Sequence, residues 1–173
     1  MALRFFLHSL LLIFCVAPFS VQAQQVRISG LSDFTIGNWS MGDPNVYRYV
    51  DVCIYRQNNG TGTNRRYFIT ASGDGPGFQL KSGSYALAYT VQWFAGGTGN
   101  PGGGTARTLT SNVQFPNNFN TARLKTDVPA NSSDCNGNSA PTARLALTIN
   151  ATALDAVPDG TYTGTLNLLV VPQ

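Results

Sequence analysis

Apolar residues recur at every second position along most of this chain, and no stretch after residue 23 shows the three-to-four-residue spacing of a helix. Such alternation is typical of strands that bury one face. The clearest run is 85–93, whose odd positions form one continuous apolar face. Further runs occupy 26–28 with 34–36, 50–54, 67–71, 78–80, 107–113, 122–125, 143–149 and 161–171. About eight to ten short strands separated by turns predict an all-β protein with an antiparallel sandwich fold.

The first 23 residues have the organisation of a secretory signal peptide. Arg4 precedes an apolar run over residues 5–16, and Val21-Gln22-Ala23 places small residues at the two positions that a signal peptidase reads. The alternative, an N-terminal membrane anchor, is disfavoured because the run is short for a membrane span. We therefore expect cleavage after Ala23, export, and a single domain over residues 24–173.

The composition of the predicted domain excludes several classes of function. The one histidine, His8, lies in the leader, and the chain contains no glutamate. Catalysis by a Ser-His-Asp or Cys-His arrangement and a histidine-based zinc site are therefore excluded, and we expect neither an enzyme nor a cofactor. The basic residues are scattered, which argues against a nucleic-acid partner. The glycine-rich segment around Asp74 precedes no helix pattern, so it is predicted to be a turn and not a phosphate loop.

Two cysteines, Cys53 and Cys135, remain after removal of the leader, which takes Cys15 with it. Two cysteines in an exported chain indicate one disulfide bond. A bond between Cys53 and Cys135 would close a loop of 83 residues (135 − 53 + 1). In the chain-entropy model, closing a loop of that length adds at most roughly 4–5 kcal/mol to the free energy of unfolding.

Both tryptophans have a structural interpretation and a functional one. Trp93 shares the apolar phase of its strand, which predicts a place in the core. Trp39 lies beside a turn, where a flat aromatic ring could bind a carbohydrate. Tyr47 and Tyr49 either lie on the surface or pack against neighbouring side chains on an edge strand. The glycine-rich segment 96–104 is expected to be a long flexible loop.

Several short phrases, taken in order, extend over essentially the whole predicted domain. They are ISGLSD (28–33), IGNW (36–39), VCIY (52–55), YFITASG (67–73), YTVQW (89–93), CNG (135–137) and GTYTGTL (160–166). Together they resemble the spore coat protein U domain family, which includes subunits of archaic chaperone–usher pili. The chain departs from the family in the 96–104 loop, in the 112–131 region and in lacking an early cysteine in its first strand.

The resemblance implies an incomplete immunoglobulin-like sandwich that lacks its last strand. A periplasmic chaperone lends a strand during folding, an usher exports the subunit, and a neighbouring pilin subunit then supplies the replacement strand. The acceptor groove would lie beside strand 161–171, lined by Tyr162, Leu166, Leu168 and Val170. The sequence ends soon after this strand, so we expect no further strand of its own to cover it.

The segment ahead of the first strand is short for a donated strand. Only residues 24–29 precede Gly30, with Val26 and Ile28 as the alternating pair. This favours a tip or minor subunit of a cell-surface fimbria. In one alternative, residues 25–36 are themselves the donor. In another, the protein is a stand-alone secreted or coat-associated module that binds carbohydrate or a surface ligand.

The disulfide is the first prediction that can be tested directly. Intact mass spectrometry of the exported chain without reductant should show a mass lower by two hydrogens than the reduced form, and peptide mapping should join Cys53 to Cys135. Free thiols at both positions would contradict the pairing.

Overall fold

The computed structural model describes residues 26–56, 66–119, 123–124 and 141–173, with only the backbone described at 123–124. The predicted leader and Cys135 lie outside the described residues. The elements are β1 (Val26–Ser29), β2 (Val46–Arg56), β3 (Tyr67–Ser72), β4 (Gln79–Ser82), β5 (Tyr85–Ala88), β6 (Thr90–Phe94), β7 (Arg107–Thr108), β8 (Arg123–Leu124), β9 (Ala143–Ile149), α1 (Ala151–Asp155) and β10 (Asn167–Pro172). No helix in these ranges is long and apolar enough to cross a membrane.

The strands form a larger sheet, a second sheet and a hairpin. The larger sheet has the order β1-β2-β9-β6-β7, and β8 lies parallel beside β2. The second sheet pairs β10 with β3, and main-chain hydrogen bonds from residues 112–119 cover the other edge of β3. The hairpin consists of β4 and β5. Apart from the β2–β8 pair, all strand pairs are antiparallel, which confirms the predicted all-β antiparallel architecture.

The core lies between the two sheets and is built from the alternating residues of their inner faces. Trp93 on β6 is fully buried, which confirms the prediction made for it. Its indole Nε1 donates a hydrogen bond to the hydroxyl of Tyr67 on β3 at 3.2 Å, and the two rings meet edge to face with centroids 6.5 Å apart. This contact joins the two sheets and also satisfies the buried indole N–H.

The run 85–93 does not form the single strand that its alternation suggests. Leu87, Tyr89, Val91 and Trp93 are buried as expected, whereas Tyr85 is exposed. The run divides at Tyr89, because β5 pairs with β4 while β6 pairs with β9 of the larger sheet. The Tyr89 N–H donates instead to the carbonyl of Phe78 at 3.0 Å. Alternation reports which face is buried and does not report a change of partner strand.

Three further expectations differ from the structure. The helix α1 was not expected, since its five residues are too few to show a periodicity. The last strand begins at Asn167 and not at residue 161, because the segment before it contains Gly160 and Gly164 and forms one isolated bridge. The loop 96–104 is tied down, since the N–H groups of Gly97 and Gly99 donate to the carbonyls of Thr142 and Pro141.

We expect Tyr67→Phe to lower the free energy of unfolding by about 1–3 kcal/mol, because it leaves the Trp93 indole N–H buried without its acceptor. Urea unfolding of the purified chain measures this value. The matched control is Tyr85→Phe, which removes a hydroxyl from an exposed ring and should change stability by less than about 0.5 kcal/mol. Equal effects of the two substitutions would contradict this role of Tyr67.

Candidate functional site

A groove with an apolar floor runs along one side of the sandwich, between the segment that follows β1 and the segment that precedes β10. Its narrower part has a volume of about 550 Å³ and lies between residues 31–36 and 162–168. Its wider part, about 710 Å³, continues between residues 36–41 and 154–162. Ile36, Leu80 and Tyr162 line both parts, so the two cavities form one continuous groove.

The floor of the groove belongs to the core, and its walls are only half-buried. Leu145 and Leu147 on β9 form part of the floor, together with Leu80 and Tyr89, and all four are buried. The walls carry these half-buried apolar side chains, which also pack against the core: Phe34 and Ile36 on one side, Tyr162, Leu166 and Leu168 on the other. Another apolar segment placed in the groove would bury the remainder of these side chains.

Three of the four residues predicted for an acceptor groove line this one. Tyr162, Leu166 and Leu168 point into it. Val170 shares their phase but lies farther along β10, where it pairs with Ile69 and packs against the core without lining the groove. The apolar phase of the final strand was thus readable from sequence, whereas the length of the groove was not.

Trp39 lies at the wider end of the groove. The ring is half-buried and packs against the core, and its indole Nε1 donates a hydrogen bond to the carbonyl of Pro44 at 3.1 Å. The Trp39 ring therefore covers apolar surface of the core, and only part of its face is open to stack on a sugar ring. The predicted ligand surface at Trp39 therefore coincides with the mouth of the groove.

The main chain of the segment before β10 is paired along one edge only. Thr163 exchanges two hydrogen bonds with Lys81 of β4, at 2.7 and 3.0 Å, and the Thr165 N–H donates to the carboxylate of Asp74 at 2.5 Å. Among the described residues, the main-chain groups of Gly164 and Leu166 have no hydrogen-bond partner. Because successive residues of an extended chain direct these groups to opposite sides, the unpaired groups face away from β4, toward the groove.

Asp74 was predicted only as a turn residue, and it is one, between β3 and β4. Its carboxylate also fixes the last segment, through a hydrogen bond that spans 91 positions of sequence. Gly164 permits the close approach, since a Cβ there would lie 2.8 Å from the carbonyl oxygen of Gln79. No local sequence signal identifies a partner so far along the chain.

The two sides of the groove, residues 31–36 and 162–168, are its lips. The lip of residues 31–36 is held by Arg48, which no sequence pattern identified. Its guanidinium donates to the carbonyl of Thr35 at 3.1 Å and to that of Ile36 at 2.7 Å. Arg48 belongs to β2, which thereby holds this segment through a side chain and not through a strand ladder. Within the described chain, the main-chain groups of residues 31–34 have no hydrogen-bond partner.

The groove floor carries no charge at neutral pH. Burial raises the pKa of the Tyr89 phenol, and the charge of Asp74 raises it further. Since the folded-state pKa lies above the unfolded one, the stabilisation from the neutral phenol is present at neutral pH and is lost as the pH rises through the folded-state value. The floor of the groove therefore presents neutral side chains to an occupant.

Cys53 is buried on β2 and is disulfide-bonded. Its predicted partner, Cys135, is not described, so the pairing stays a prediction. The described ranges contain no cluster of three or more histidine, cysteine, aspartate or glutamate side chains that could hold a metal ion.

Comparison with known proteins shows the fold. No protein-family model matches the chain, and no curated protein matches its sequence. A solved structure of a chaperone–tip adhesin complex, described as vital for synergistic activation of CFA/I fimbriae biogenesis, contains a similar chain. The TM-score is 0.53 at 18% sequence identity, and the match covers 86% of this chain but only 41% of that one. The likeness supports an immunoglobulin-like sandwich.

The role of Asp74 can be tested by amide hydrogen exchange. Asp74→Ala should speed exchange at Thr165 by about tenfold or more, because a hydrogen bond to a charged acceptor contributes about 1.5–3 kcal/mol. Asp74→Asn keeps an acceptor oxygen without the charge and should give an intermediate rate. Asp159→Ala, at the exposed wider end of the groove, is the control. An unchanged exchange rate at Thr165 in Asp74→Ala would show that the Asp74 carboxylate does not hold this segment.

Proposed function

We propose that this chain is an exported subunit of a chaperone–usher fimbria and that its groove accepts a strand from another protein. The observation that carries the proposal is the combination of an apolar floor with two lips on which some main-chain groups, those of residues 31–34, Gly164 and Leu166, have no hydrogen-bond partner in the described chain. A strand added between these lips would form hydrogen bonds to both and would place every second side chain on the floor. A small ligand would leave most of those main-chain groups unpaired.

The chemistry of the groove favours alternating apolar side chains in the occupant. The floor is formed by buried leucines and a neutral tyrosine. The residues that line the two cavities also include Asp33, Asp155 and Asp159, but no lysine or arginine. An occupant with apolar residues inward and neutral or basic residues outward satisfies both. A continuous apolar peptide would leave half of its side chains in water.

The partners follow from this role. A periplasmic chaperone would supply the strand during folding, and after passage through an usher a neighbouring subunit would replace it. Export would use the predicted leader over residues 1–23, with the mature domain at the cell surface. The fold likeness to a chain of a chaperone–tip adhesin complex supports this class of partner. We propose no catalytic role, since the predicted domain contains neither histidine nor glutamate.

A tip or minor position fits the use that the domain makes of β1. Its residues pair with β2 of the same chain, from Val26 opposite Arg56 to Ser29 opposite Cys53. A strand used inside its own domain is not free to complement a neighbour. We therefore propose that this subunit accepts a strand and does not donate residues 25–36.

Strand addition predicts a specific stabilisation by peptides. A synthetic peptide of about ten residues that alternates Ile or Val with Thr should raise the Tm of the purified exported chain by about 5–10 °C at concentrations well above its Kd. The control peptide has the same composition with its apolar residues grouped, which destroys the alternation. A stable monomer whose Tm responds to neither the peptide nor a co-expressed periplasmic chaperone would overturn the proposal.

Neighbouring leucines on β10 provide a matched pair of substitutions. Leu168 lines the groove, whereas Leu169 is 60% exposed and points away from it. Leu168→Ser should weaken binding of the alternating peptide by about tenfold or more, because it removes apolar area that the complex buries. Leu169→Ser should leave the affinity within about twofold. Titration calorimetry measures both, and equal losses would contradict the assigned groove.

A further inference from the structure

The outward face of the larger sheet carries an exposed pair of tyrosines on β2. Tyr47 is 43% exposed and Tyr49 is 52% exposed, and their ring centroids lie 6.1 Å apart with the planes tilted by 43°. Alternation along the strand directs both rings away from Arg48 and the groove. The pair is therefore a surface feature separate from the groove, and the core does not require it.

The Tyr49 ring is supported from one side by a fixed charged group. The Arg144 guanidinium lies 3.8 Å from the ring centroid and donates to both carboxylate oxygens of Asp51, at 2.6 and 3.0 Å. The glycine-rich loop packs against the same guanidinium, since a Cβ at Gly102 would lie 2.7 Å from its Nη1. A ring held in this way loses little side-chain entropy when a ligand binds.

Hydrogen-bonding side chains continue this face across the sheet. The register places Thr148 and then Thr90 in line with Tyr47, and it places Gln92 beyond Ala146 in line with Tyr49. Thr148, Thr90 and Gln92 are partly exposed, and no side-chain hydrogen bond satisfies them within the described chain. Two hydroxyls and an amide thus lie beside two aromatic rings, ready to donate and accept.

We propose that the face formed by Tyr47, Tyr49, Thr148, Thr90 and Gln92 binds an uncharged oligosaccharide. The C–H-rich side of a pyranose ring is attracted to the negative face of an aromatic ring, and its hydroxyl groups match the threonine and glutamine side chains. The charge of this face favours a neutral ligand, because the Arg144 cation is already paired with Asp51. The site is distinct from Trp39 and from the groove, so it can be tested separately from strand addition.

The test uses the purified exported chain on a printed array of neutral and sialylated oligosaccharides. We expect binding to neutral members, and Tyr47→Ala and Tyr49→Ala should each lower the affinity by about tenfold or more. Tyr49→Phe keeps the ring and should retain most of the affinity. Leu169→Ser, on the other sheet, should bind as the unmodified chain does.

Several outcomes would overturn this site. They are binding to no glycan, binding to sialylated members alone, and binding that survives both tyrosine-to-alanine substitutions or is lost only in Trp39→Ala. Each variant is checked by its Tm and by its response to the alternating peptide. A variant that still responds to the peptide has an intact groove, so its loss of glycan binding reports on the outward face. If Tyr49→Ala unfolds, Tyr47→Ala and Gln92→Ala decide the question.

Discussion

The ladder between β10 and β3 is the constraint on which the groove depends. It aligns six residues of β10 with β3, from Asn167 opposite Ser72 to Pro172 opposite Tyr67. β10 is an edge strand, because β3 is its one neighbour among the described strands, and its inner side chains are half-buried. Residues 112–119 occupy the other edge of β3. β1, at the end of the larger sheet, is likewise paired on one side only among the described strands. Two strand edges with unpaired sides that flank an apolar floor are the geometry on which the proposed addition of one more strand rests.

Two charged side chains hold the lips of this groove. Arg48 donates to carbonyls on one lip, and Asp74 accepts an N–H from the other. In a complete sandwich, a strand between the lips would form main-chain hydrogen bonds to both and would fix the distance between them. Here Arg48 and Asp74 bind main-chain groups of residues 35, 36 and 165, whereas the main-chain groups of residues 31–34, Gly164 and Leu166 have no partner within the described chain. The proposed strand would find its main-chain partners among the latter groups, which neither side chain occupies.

The features that the sequence predicted are local, whereas those it missed depend on contacts between residues far apart in the chain. Period-two alternation predicted the bounds of β9, the burial of Trp93 and the inward phase of Tyr162, Leu166 and Leu168, because burial of one strand face leaves a local pattern. The break at Tyr89 depends on which strand each half pairs with. The hydrogen bond that Asp74 accepts comes from Thr165, far along the chain. Neither leaves a local trace, and a five-residue helix is too short to show its period.

The alternation of β2 also separates the two proposed sites. Arg48 projects to the groove side, while Tyr47 and Tyr49 on either side of it project outward. A strand seated in the groove would contact the inner face and would leave the outward face exposed. Occupation of one site therefore does not obstruct the other, and any coupling has to pass through β2 itself. If the proposed strand binds on the inner side of the sheet, the outward face stays available after assembly.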